Sequence, residues 1–333
     1  MFKAMLGKII HQSDLEESEV LEFLDAIVSG TISPAQTGAV LAALATKGPS
    51  SGEIAAVVRF LRRHLVAVSP KRTDLLDTCG TGGDASGTFN ISTVVAFVAA
   101  GAGAAVAKHG NRAASSKSGS ADVLEALGIR LDLSAEALAD CIDEHGIGFL
   151  YAPAFHPAMK HVAPIRKELG IKTIFNLAGP LSNPAGATRQ LVGVYDRHLT
   201  GPVAQALAGL GTERAMVVCG HDGLDEISLS AESEVAELKD GKVERWTLNP
   251  EDYGLPMCDL SALAGGTPME NAKIALDILD GKVGPQRTIV ELNAGAALYV
   301  SGVADTLAAG IELAQGSIET GSARAKLEAL RNL

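Results

Sequence analysis

Residues Asp77-Thr-Cys-Gly-Thr-Gly-Gly-Asp84 and Ser86-Gly-Thr-Phe-Asn-Ile-Ser-Thr93 decide the fold of this chain. They lie between the apolar pair Leu75-Leu76, typical of a strand, and a long apolar run from Ile91 that is typical of a helix. Glycines at such a junction let backbone N–H groups converge on one point, because they tolerate positive φ and lack a Cβ. The helix opens with serine and threonine, and its free N–H groups favour an anion. The segment therefore predicts an α/β fold with a phosphate or diphosphate site.

Three other interpretations of the glycine segment remain open at this point. Residues Gly80–Ala85 fit the loose dinucleotide pattern G-x-G-x-x-A, but that pattern requires an acidic residue about 20 positions later. That region holds Lys108 and His109 instead. A P-loop requires Gly-Lys-Ser/Thr, and Gly87-Thr88 lacks the lysine. A glycine-rich turn that serves only chain reversal is the third alternative.

A second loop strengthens the phosphate interpretation. The segment Lys108-His-Gly-Asn-Arg-Ala-Ala-Ser-Ser-Lys-Ser-Gly-Ser120 concentrates cations and hydroxyls in an acidic chain with 28 Lys+Arg against 39 Asp+Glu. Lysine acts on phosphate oxygens as a point charge and arginine as a fork. A solvated loop whose serines form turns is the structural alternative. Because both loops follow strands, we expect them at the same strand ends, where open α/β sheets bind ligands.

An acidic segment predicts a metal site. The apolar run Ala215–Cys219 leads into Gly-His-Asp222-Gly-Leu-Asp225-Glu226, which places three carboxylates close together after a strand. Such carboxylates repel one another unless a cation neutralises them. Mg²⁺ takes one or two protein carboxylates and completes its shell with water and substrate phosphates. A polar turn with exposed acids is the alternative.

Taken together, these motifs are similar to those of the anthranilate phosphoribosyltransferase family, over nearly the whole chain to about Gly302. The glycine loop and the Lys-His-Gly-Asn-Arg string carry most of the resemblance. The matching segments are Gly80–Asp84, Asn90–Thr93, Lys108–Ser116 with Ser120, Asp225-Glu226, His156–Lys160 with Arg166, Phe175–Pro184 and Ala264–Pro268.

The resemblance implies an α/β fold of the nucleoside phosphorylase/phosphoribosyltransferase type. A small N-terminal helical domain, residues 1–70 with about 164–184 returning to it, precedes a large α/β domain of residues 71–163 and 185–333. A central sheet flanked by helices forms the large domain. The active site is then expected in the cleft between the two domains.

The resemblance also implies the reaction: transfer of a phosphoribosyl group from 5-phosphoribosyl 1-diphosphate to the amine of anthranilate, in tryptophan biosynthesis. Ser92, Asp225 and Glu226 would hold magnesium, with two ions expected. The diphosphate substrate would contact Gly80, Gly83, Asp84, Thr88, Asn90, Ile91, Ser92, Thr93, Lys108, His109, Gly110, Asn111, Arg112, Ala113, Ala114, Ser115, Ser116 and Ser120. Anthranilate would contact Gly80, Asn111, Arg166, His109 and His156. A homodimer formed through the helical domain is expected.

This chemistry explains which motifs are present. Loss of diphosphate gives an oxocarbenium-like transition state, so catalysis is mainly electrostatic, and Lys108, Asp225 and Glu226 supply the charges. The aromatic amine attacks as the neutral species, so no strong side-chain acid or base is expected. Arg166 suits the substrate carboxylate because a guanidinium pairs with it in two places, although an exposed arginine at a helix start gives the same pattern.

Composition excludes several classes of protein. A net charge of −11 argues against a nucleic-acid-binding surface and against binding to an acidic membrane. The apolar run Ile91–Ala107 is too short to span a bilayer and predicts a buried helix and strand. The four cysteines are scattered without a C-x-x-C pair, which indicates neither a zinc site nor a disulfide framework. The N-terminus lacks a signal-peptide core, and a cytoplasmic enzyme is expected.

Periodicity and helix breakers predict the elements around these motifs. Helices are expected over 16–29, 33–46 and 51–66, with a linker at Pro70. Strands are expected over 75–77, 104–107, 148–151, 191–194 and 215–219, with a further pair over 236–238 and 242–248. Their alternation with helices predicts a sheet covered on both faces.

Two other functions fit parts of the pattern. A pyrimidine nucleoside phosphorylase shares the helical domain and the glycine-rich anion loop, but its pattern lacks the Lys-His-Gly-Asn-Arg string and the Asp-Glu pair. A catalytically silent relative that binds nucleic acid is disfavoured by the acidic balance. Thermal shifts with phosphoribosyl diphosphate and Mg²⁺, with phosphate and thymidine, and with single-stranded DNA distinguish the three.

Overall fold

The computed structural model of the chain describes residues 2–113 and 117–333. Four helices form its N-terminal part: α1 (Phe2–Ile10), α2 (Glu17–Val28), α3 (Pro34–Lys47) and α4 (Ser51–His64). Two of these helices begin at serines, because Ser33 and Ser50 each accept a hydrogen bond from the main-chain N–H three residues later. The three predicted helices are present within two residues of their expected bounds, and α1 precedes them.

A seven-stranded mixed sheet forms the centre of the remainder. Its strands are β1 (Leu75–Asp77), β2 (Ala105–Gly110), β3 (Ile147–Tyr151), β4 (Arg189–Gly193), β5 (Arg214–Gly220), β6 (Ser233–Lys239) and β7 (Lys242–Leu248). The order across the sheet is β3-β2-β1-β4-β5-β6-β7. Strands β1 to β5 are parallel, whereas β6 and β7 add antiparallel to β5 at one edge. The carboxyl ends of β1 to β5 therefore meet at a single edge.

Strand β2 is longer than the sequence pattern predicts. It continues through Gly110, and Lys108 and His109 pair with Phe149 and Leu150 of β3. The apolar pattern stops at Ala107, because the next side chains are polar although they are buried. Two residues expected in a loop are therefore fixed on a strand inside the sheet.

Helices cover both faces of the sheet. The helices that follow β1 in the chain are α5 (Ile91–Gly101), α6 (Ser120–Ala126), α7 (Ala135–His145), α8 (Ala152–Phe155), α9 (Ala163–Leu169), α10 (Ile174–Ala178), α11 (Thr200–Gly209), α12 (Pro268–Leu279), α13 (Pro285–Ser301), α14 (Leu307–Glu319) and α15 (Ser322–Arg331). Short 3₁₀ helices occupy Pro157–His161, Arg197–Leu199, Pro250–Tyr253 and Leu260–Leu263.

Neighbouring residues of a strand belong to different apolar cores, as the period of two requires. Val218 of β5 packs in the core that also contains α5 and α13. Val217 packs in the core that includes the N-terminal helices and α11. An apolar layer thus covers each face of the sheet. The layer that contains Val217 continues into the N-terminal helices.

The chain returns to the N-terminal helices after β3. Ile174 and Phe175 of α10 share the core of the N-terminal bundle, and Leu169 of α9 lies 3.6 Å from the position a Cβ would take on Gly38 of α3. Within residues 2–113 and 117–333, no helix is both long and apolar enough to cross a membrane.

Candidate active site

The glycine segment forms a loop over the carboxyl ends of β1 and β4. Gly82, Gly83 and Gly87 have φ values of +65°, +76° and +70°, which a residue with a Cβ rarely adopts. The loop is anchored where the N–H of Thr81 donates to the carbonyl of Gly193 at 2.8 Å. The exposed backbone at Gly82 and Gly83 leaves room for a ligand above the loop.

The acidic segment after β5 packs directly beneath this loop. The N–H of Gly82 donates to Asp225 Oδ2 at 2.7 Å. A Cβ on Gly80 would lie 2.8 Å from Asp225 Oδ2, and a Cβ on Gly193 would collide with the main-chain carbonyl of Asp225. These two glycines are therefore required by the close approach of two chain segments rather than by a turn.

The carboxylate of Glu226 lies at the N-terminus of α5, whereas that of Asp225 lies against the glycine loop. The N–H of Ser92 donates to Glu226 Oε1 at 3.1 Å, so the helix end holds the second carboxylate. Burial raises the pKa of both carboxyl groups, and Asp84 and Asp225 add to it by repulsion on Asp225 and Glu226 respectively. A bound cation would favour the charged form of both carboxyl groups.

Lys108 is buried below the loop. Its Nζ donates to the carbonyl of Thr78 at 2.5 Å and lies 3.2 Å from Ser92 Oγ. The sequence predicts an ammonium group facing phosphate oxygens. In the structure one N–H of this ammonium group donates to the backbone instead, and its charge lies beside Ser92 in the first turn of α5.

The residues present suit magnesium. Ser92 offers a hydroxyl, and Asp225 and Glu226 offer carboxylates, all hard oxygen ligands of the kind that Mg²⁺ prefers. No group of three or more His, Cys, Asp or Glu side chains arranged for a metal occurs within 2–113 and 117–333. Magnesium that also binds substrate phosphates needs fewer protein ligands than such a group supplies.

The basic segment folds back on helix α6. Ser120 Oγ donates to the carbonyl of Asn111 and accepts from its N–H, both at 3.2 Å, which closes the loop. The guanidinium of Arg112 is exposed and pairs with Asp122 at 3.0 Å and Glu125 at 2.6 Å. The Arg112 guanidinium, which the sequence predicts to contact phosphate, is thus paired with the acids of α6. Gly110 and Ala113 flank the pair Asn111-Arg112. Ala114, Ser115 and Ser116 lie outside the described residues.

Two buried histidines face each other beside this loop. The Nε2 atoms of His109 and His156 are 3.2 Å apart. Burial lowers the pKa of His109 to about 3, with His156 and Lys108 adding to it, and burial lowers the pKa of His156 to about 4. Both imidazoles are therefore neutral at pH 7, and neither is a ready proton donor there.

A buried carboxylate fixes the end of β2. Asp77 accepts from the N–H of His109 at 3.0 Å and from Asn183 Nδ2 at 2.6 Å. Asn183 also donates to the carbonyl of Ala107 at 2.8 Å. Burial raises the pKa of Asp77 to about 6, although Lys108 opposes it. The network holds the backbone that carries both Lys108 and His109.

Arg166 lies in α9 with only part of its guanidinium engaged. Nη2 donates to Asn176 Oδ1 at 3.1 Å, and Nε is buried without a partner in the described part of the chain. Burial lowers the pKa of Arg166. A buried donor without a partner is costly, so the site is suited to an additional acceptor such as a carboxylate.

The other predicted residues lie around α5. The backbone of Thr88 forms an isolated antiparallel β-bridge with Ala264. The side chain of Asn90 donates to the carbonyl of Ser118 at 3.2 Å. Ile91 and Thr93 are buried in the first turn of the helix. Asp84 lies in the loop and accepts from Ser86 Oγ at 2.5 Å.

Several residues that complete the site were not predicted from the sequence. Asn271 donates to Asn90 Oδ1 at 2.9 Å, and Asn183 and Gly193 act as described above. Asn183 lies within the quoted Phe175–Pro184 motif. For Gly193, the sequence shows only a glycine within an apolar strand-like run. Asn271 follows the Ala264–Pro268 motif without a signal of its own.

Comparison with known proteins agrees with this arrangement. Residues 72–324 match the family described as "Glycosyl transferase family, a/b domain", and residues 3–65 match its "helical bundle domain". An anthranilate phosphoribosyltransferase of Symbiobacterium thermophilum is 52% identical over 329 residues, covering 99% of this chain and 96% of that protein. The chain belongs to the anthranilate phosphoribosyltransferase family. The family predicted from the sequence motifs is thereby confirmed.

Solved structures of the family share the whole fold. The anthranilate phosphoribosyltransferase of Thermus thermophilus is 45% identical, with a TM-score of 0.92 and coverage of 98% of each chain. The Saccharomyces cerevisiae enzyme in complex with PRPP and Mg is 30% identical, with a TM-score of 0.89 and coverage of 99% and 97%. The same yeast enzyme in complex with 4-fluoroanthranilate gives a TM-score of 0.83 at 29% identity, with coverage of 95% and 91%. The predicted fold class is confirmed.

Proposed function

We propose that this chain transfers the phosphoribosyl group of 5-phosphoribosyl 1-diphosphate to the amine of anthranilate. The products are N-(5-phosphoribosyl)anthranilate and diphosphate, and the step belongs to tryptophan biosynthesis in the cytoplasm. One observation carries the proposal: the acidic pair Asp225-Glu226 accepts hydrogen bonds from the glycine loop at Gly82 and from the start of α5 at Ser92. Relatives and solved structures that match nearly the whole chain support it.

The diphosphate substrate binds along the glycine loop and the basic segment. The exposed backbone N–H of Gly83 and the N–H groups at the start of α5 donate to the anionic oxygens. Lys108 adds a positive charge from below. The full binding set is Gly80, Gly83, Asp84, Thr88, Asn90, Ile91, Ser92, Thr93, Lys108, His109, Gly110, Asn111, Arg112, Ala113, Ala114, Ser115, Ser116 and Ser120.

Ser92, Asp225 and Glu226 hold magnesium, and we expect two ions. The yeast relative with PRPP and Mg supports the choice of metal. When bound, the metal supplies positive charge against the oxygens of the leaving diphosphate. The carboxylates are held for this purpose by the N–H groups of Gly82 and Ser92.

Anthranilate binds with its carboxylate on Arg166 and its ring near His109 and His156, with Gly80 and Asn111 completing the site. The yeast relative with 4-fluoroanthranilate supports an aromatic acid at such a site. Neutral imidazoles contact the ring without taking up a proton, which suits a neutral amine nucleophile. The residues position the amine and do not need to deprotonate it before attack.

The two substrates meet between two domains of the chain. We assign residues 1–70 and about 164–184 to the helical domain, and 71–163 and 185–333 to the α/β domain. The apolar core shared by α10 and the N-terminal helices supports this division. The helical domain also forms the interface of a homodimer.

An assay of the purified chain tests the proposal. With 5-phosphoribosyl 1-diphosphate and MgCl₂, the fluorescence of anthranilate should fall as product forms, and omission of either additive should abolish the change. Asp225→Asn and Glu226→Gln should lower turnover strongly and shift the Mg²⁺ response to higher concentration. Exposed Asp305→Asn is the matched control. A wild-type chain that leaves anthranilate unchanged would refute the function.

A further inference from the structure

Lys172 connects the two sides of the candidate site. It lies in the link between α9 and α10, a stretch of chain packed on the N-terminal helices. Its side chain reaches across to the glycine loop, because a Cβ placed on Gly83 would lie 3.1 Å from Lys172 Cε and 3.7 Å from Nζ. Neither the sequence motifs nor the proposed binding set includes Lys172.

An aromatic ring holds the ammonium group in this position. Lys172 Nζ lies 3.5 Å from the ring centroid of Tyr195, a cation–π distance. Tyr195 follows β4 by two residues, at the edge of the sheet where the glycine loop crosses. The contact therefore fixes a positive charge beside Gly83 without using any of its three N–H donors.

Those donors have no acceptor in the described part of the chain. Within residues 2–113 and 117–333, the ammonium of Lys172 forms neither a hydrogen bond nor a salt bridge. The carboxylates of Asp84, Asp196 and Asp225 act on it over longer distances and favour its charged form, although burial lowers its pKa overall. A half-buried cation with free donors beside an exposed glycine loop is suited to an anionic partner.

We propose that Lys172 binds the diphosphate group of the substrate on the glycine loop, and that Tyr195 holds its ammonium group in place for that contact. The proposal rests on the proposed function, since the diphosphate comes from it. Lys172 then supplies a charge from above the loop, whereas Lys108 supplies one from below. Because Lys172 belongs to the stretch packed on the helical bundle, its contact also ties that stretch to the bound substrate.

Titration of the purified chain with magnesium diphosphate tests this directly, without anthranilate. Lys172→Met should weaken diphosphate binding and raise the KM for 5-phosphoribosyl 1-diphosphate, each on the order of 10- to 100-fold, as expected for a charge-assisted contact. The KM for anthranilate should change less than about 2-fold, and Lys172→Arg should recover most of the loss. Tyr195→Leu should give an intermediate loss, and Tyr195→Phe should behave like the wild type because it keeps the ring.

The matched control is Lys167→Met, an exposed lysine of α9, which should bind magnesium diphosphate like the wild type. Equal diphosphate affinities of the wild type and Lys172→Met would overturn the inference, and so would equal losses in both substrates. Failure of the wild type itself to bind magnesium diphosphate would contradict the proposed function instead. If Lys172→Met does not fold, Lys172→Arg and Tyr195→Leu decide by the same titration.

Discussion

At the scale of single residues, polar side chains with donors that have no protein acceptor are candidates for ligand binding. Arg166 has a buried Nε without a partner in the described part of the chain, and Lys172 has an ammonium group held only by a ring. Each belongs to the chain between α8 and α10, on the side of the site opposite the glycine loop. Each is suited to an anionic group.

Replacing Arg166 with alanine should raise the KM for anthranilate and leave that for 5-phosphoribosyl 1-diphosphate nearly unchanged. Loss of a charge-assisted pair worth about 1.5–3 kcal/mol lowers kcat/KM on the order of 10- to 100-fold. Arg166→Lys should recover only part of it, because an ammonium group cannot form the planar pair. Steady-state kinetics with each substrate varied in turn measures this, and an unchanged anthranilate KM would remove Arg166 from that site.

The pKa of His156 predicts how stability depends on pH. It is about 4 in the folded chain, below the ordinary 6.5, so the unfolded chain binds a proton first as the pH falls. The folded state is therefore destabilised below pH 6.5, by about 2 kcal/mol between pH 7 and pH 5 for this group alone. His156→Gln should reduce that loss in urea unfolding at the two pH values, with exposed His198→Gln as the control. Equal losses in all three proteins would contradict the prediction.

At the scale of elements, close approach of backbones decides which helices pack together. Gly295 of α13 lies against α14, where an added Cβ would be 2.8 Å from the backbone N of Ile311. Gly101 of α5 similarly lies against the backbone of Ala323 in α15. Glycine at these positions lets the backbone of α13 approach α14 and that of α5 approach α15.

Gly295→Ala should destabilise the chain although alanine favours helix. The overpacking cost of about 1–3 kcal/mol exceeds the gain in helix propensity of up to about 1 kcal/mol. Gly316→Ala in α14 is the matched control, because nothing lies within 4 Å of its added Cβ. Thermal unfolding should show a lower Tm for Gly295→Ala and an unchanged or higher Tm for Gly316→Ala, and the opposite order would refute this account of the packing.

At the scale of the whole molecule, the sheet separates the two largest of its apolar cores. One core joins α5 and α13 to the sheet, and the other continues from the sheet into the N-terminal helices. The glycine loop lies at the edge between them. The outer face of the helical bundle keeps Ile10 of α1 exposed at 61%.

The proposed homodimer predicts that Ile10→Glu produces monomers. A charge introduced at an apolar interface costs its desolvation, so association through the helical domain should weaken. Val283, exposed at 81% in the link between α12 and α13, provides the control Val283→Glu, which should stay dimeric. Size-exclusion chromatography with light scattering measures the masses. A dimeric Ile10→Glu together with a monomeric Val283→Glu would place the interface elsewhere.

The sequence alone determined most of the strands, three of the N-terminal helices, the glycine loop and the family, because these depend on local patterns. Serine caps start helices, a period of two marks strands, and glycine permits positive φ, all within a few residues. The pattern missed α1, and it ended β2 before Lys108 because that strand continues with buried polar side chains.

Tertiary structure alone decided the contacts between residues far apart in the chain. Asn183 meets Asp77 across 106 positions, and Lys172 reaches Gly83 from a different part of the chain. The order β3-β2-β1-β4-β5 brings such segments to one edge, and no local pattern encodes that order. The same reason explains Arg112, whose charge predicts a phosphate contact but whose guanidinium meets the nearer acids of α6. The sequence shows which charged and polar side chains are present, and the fold determines which of them are in contact.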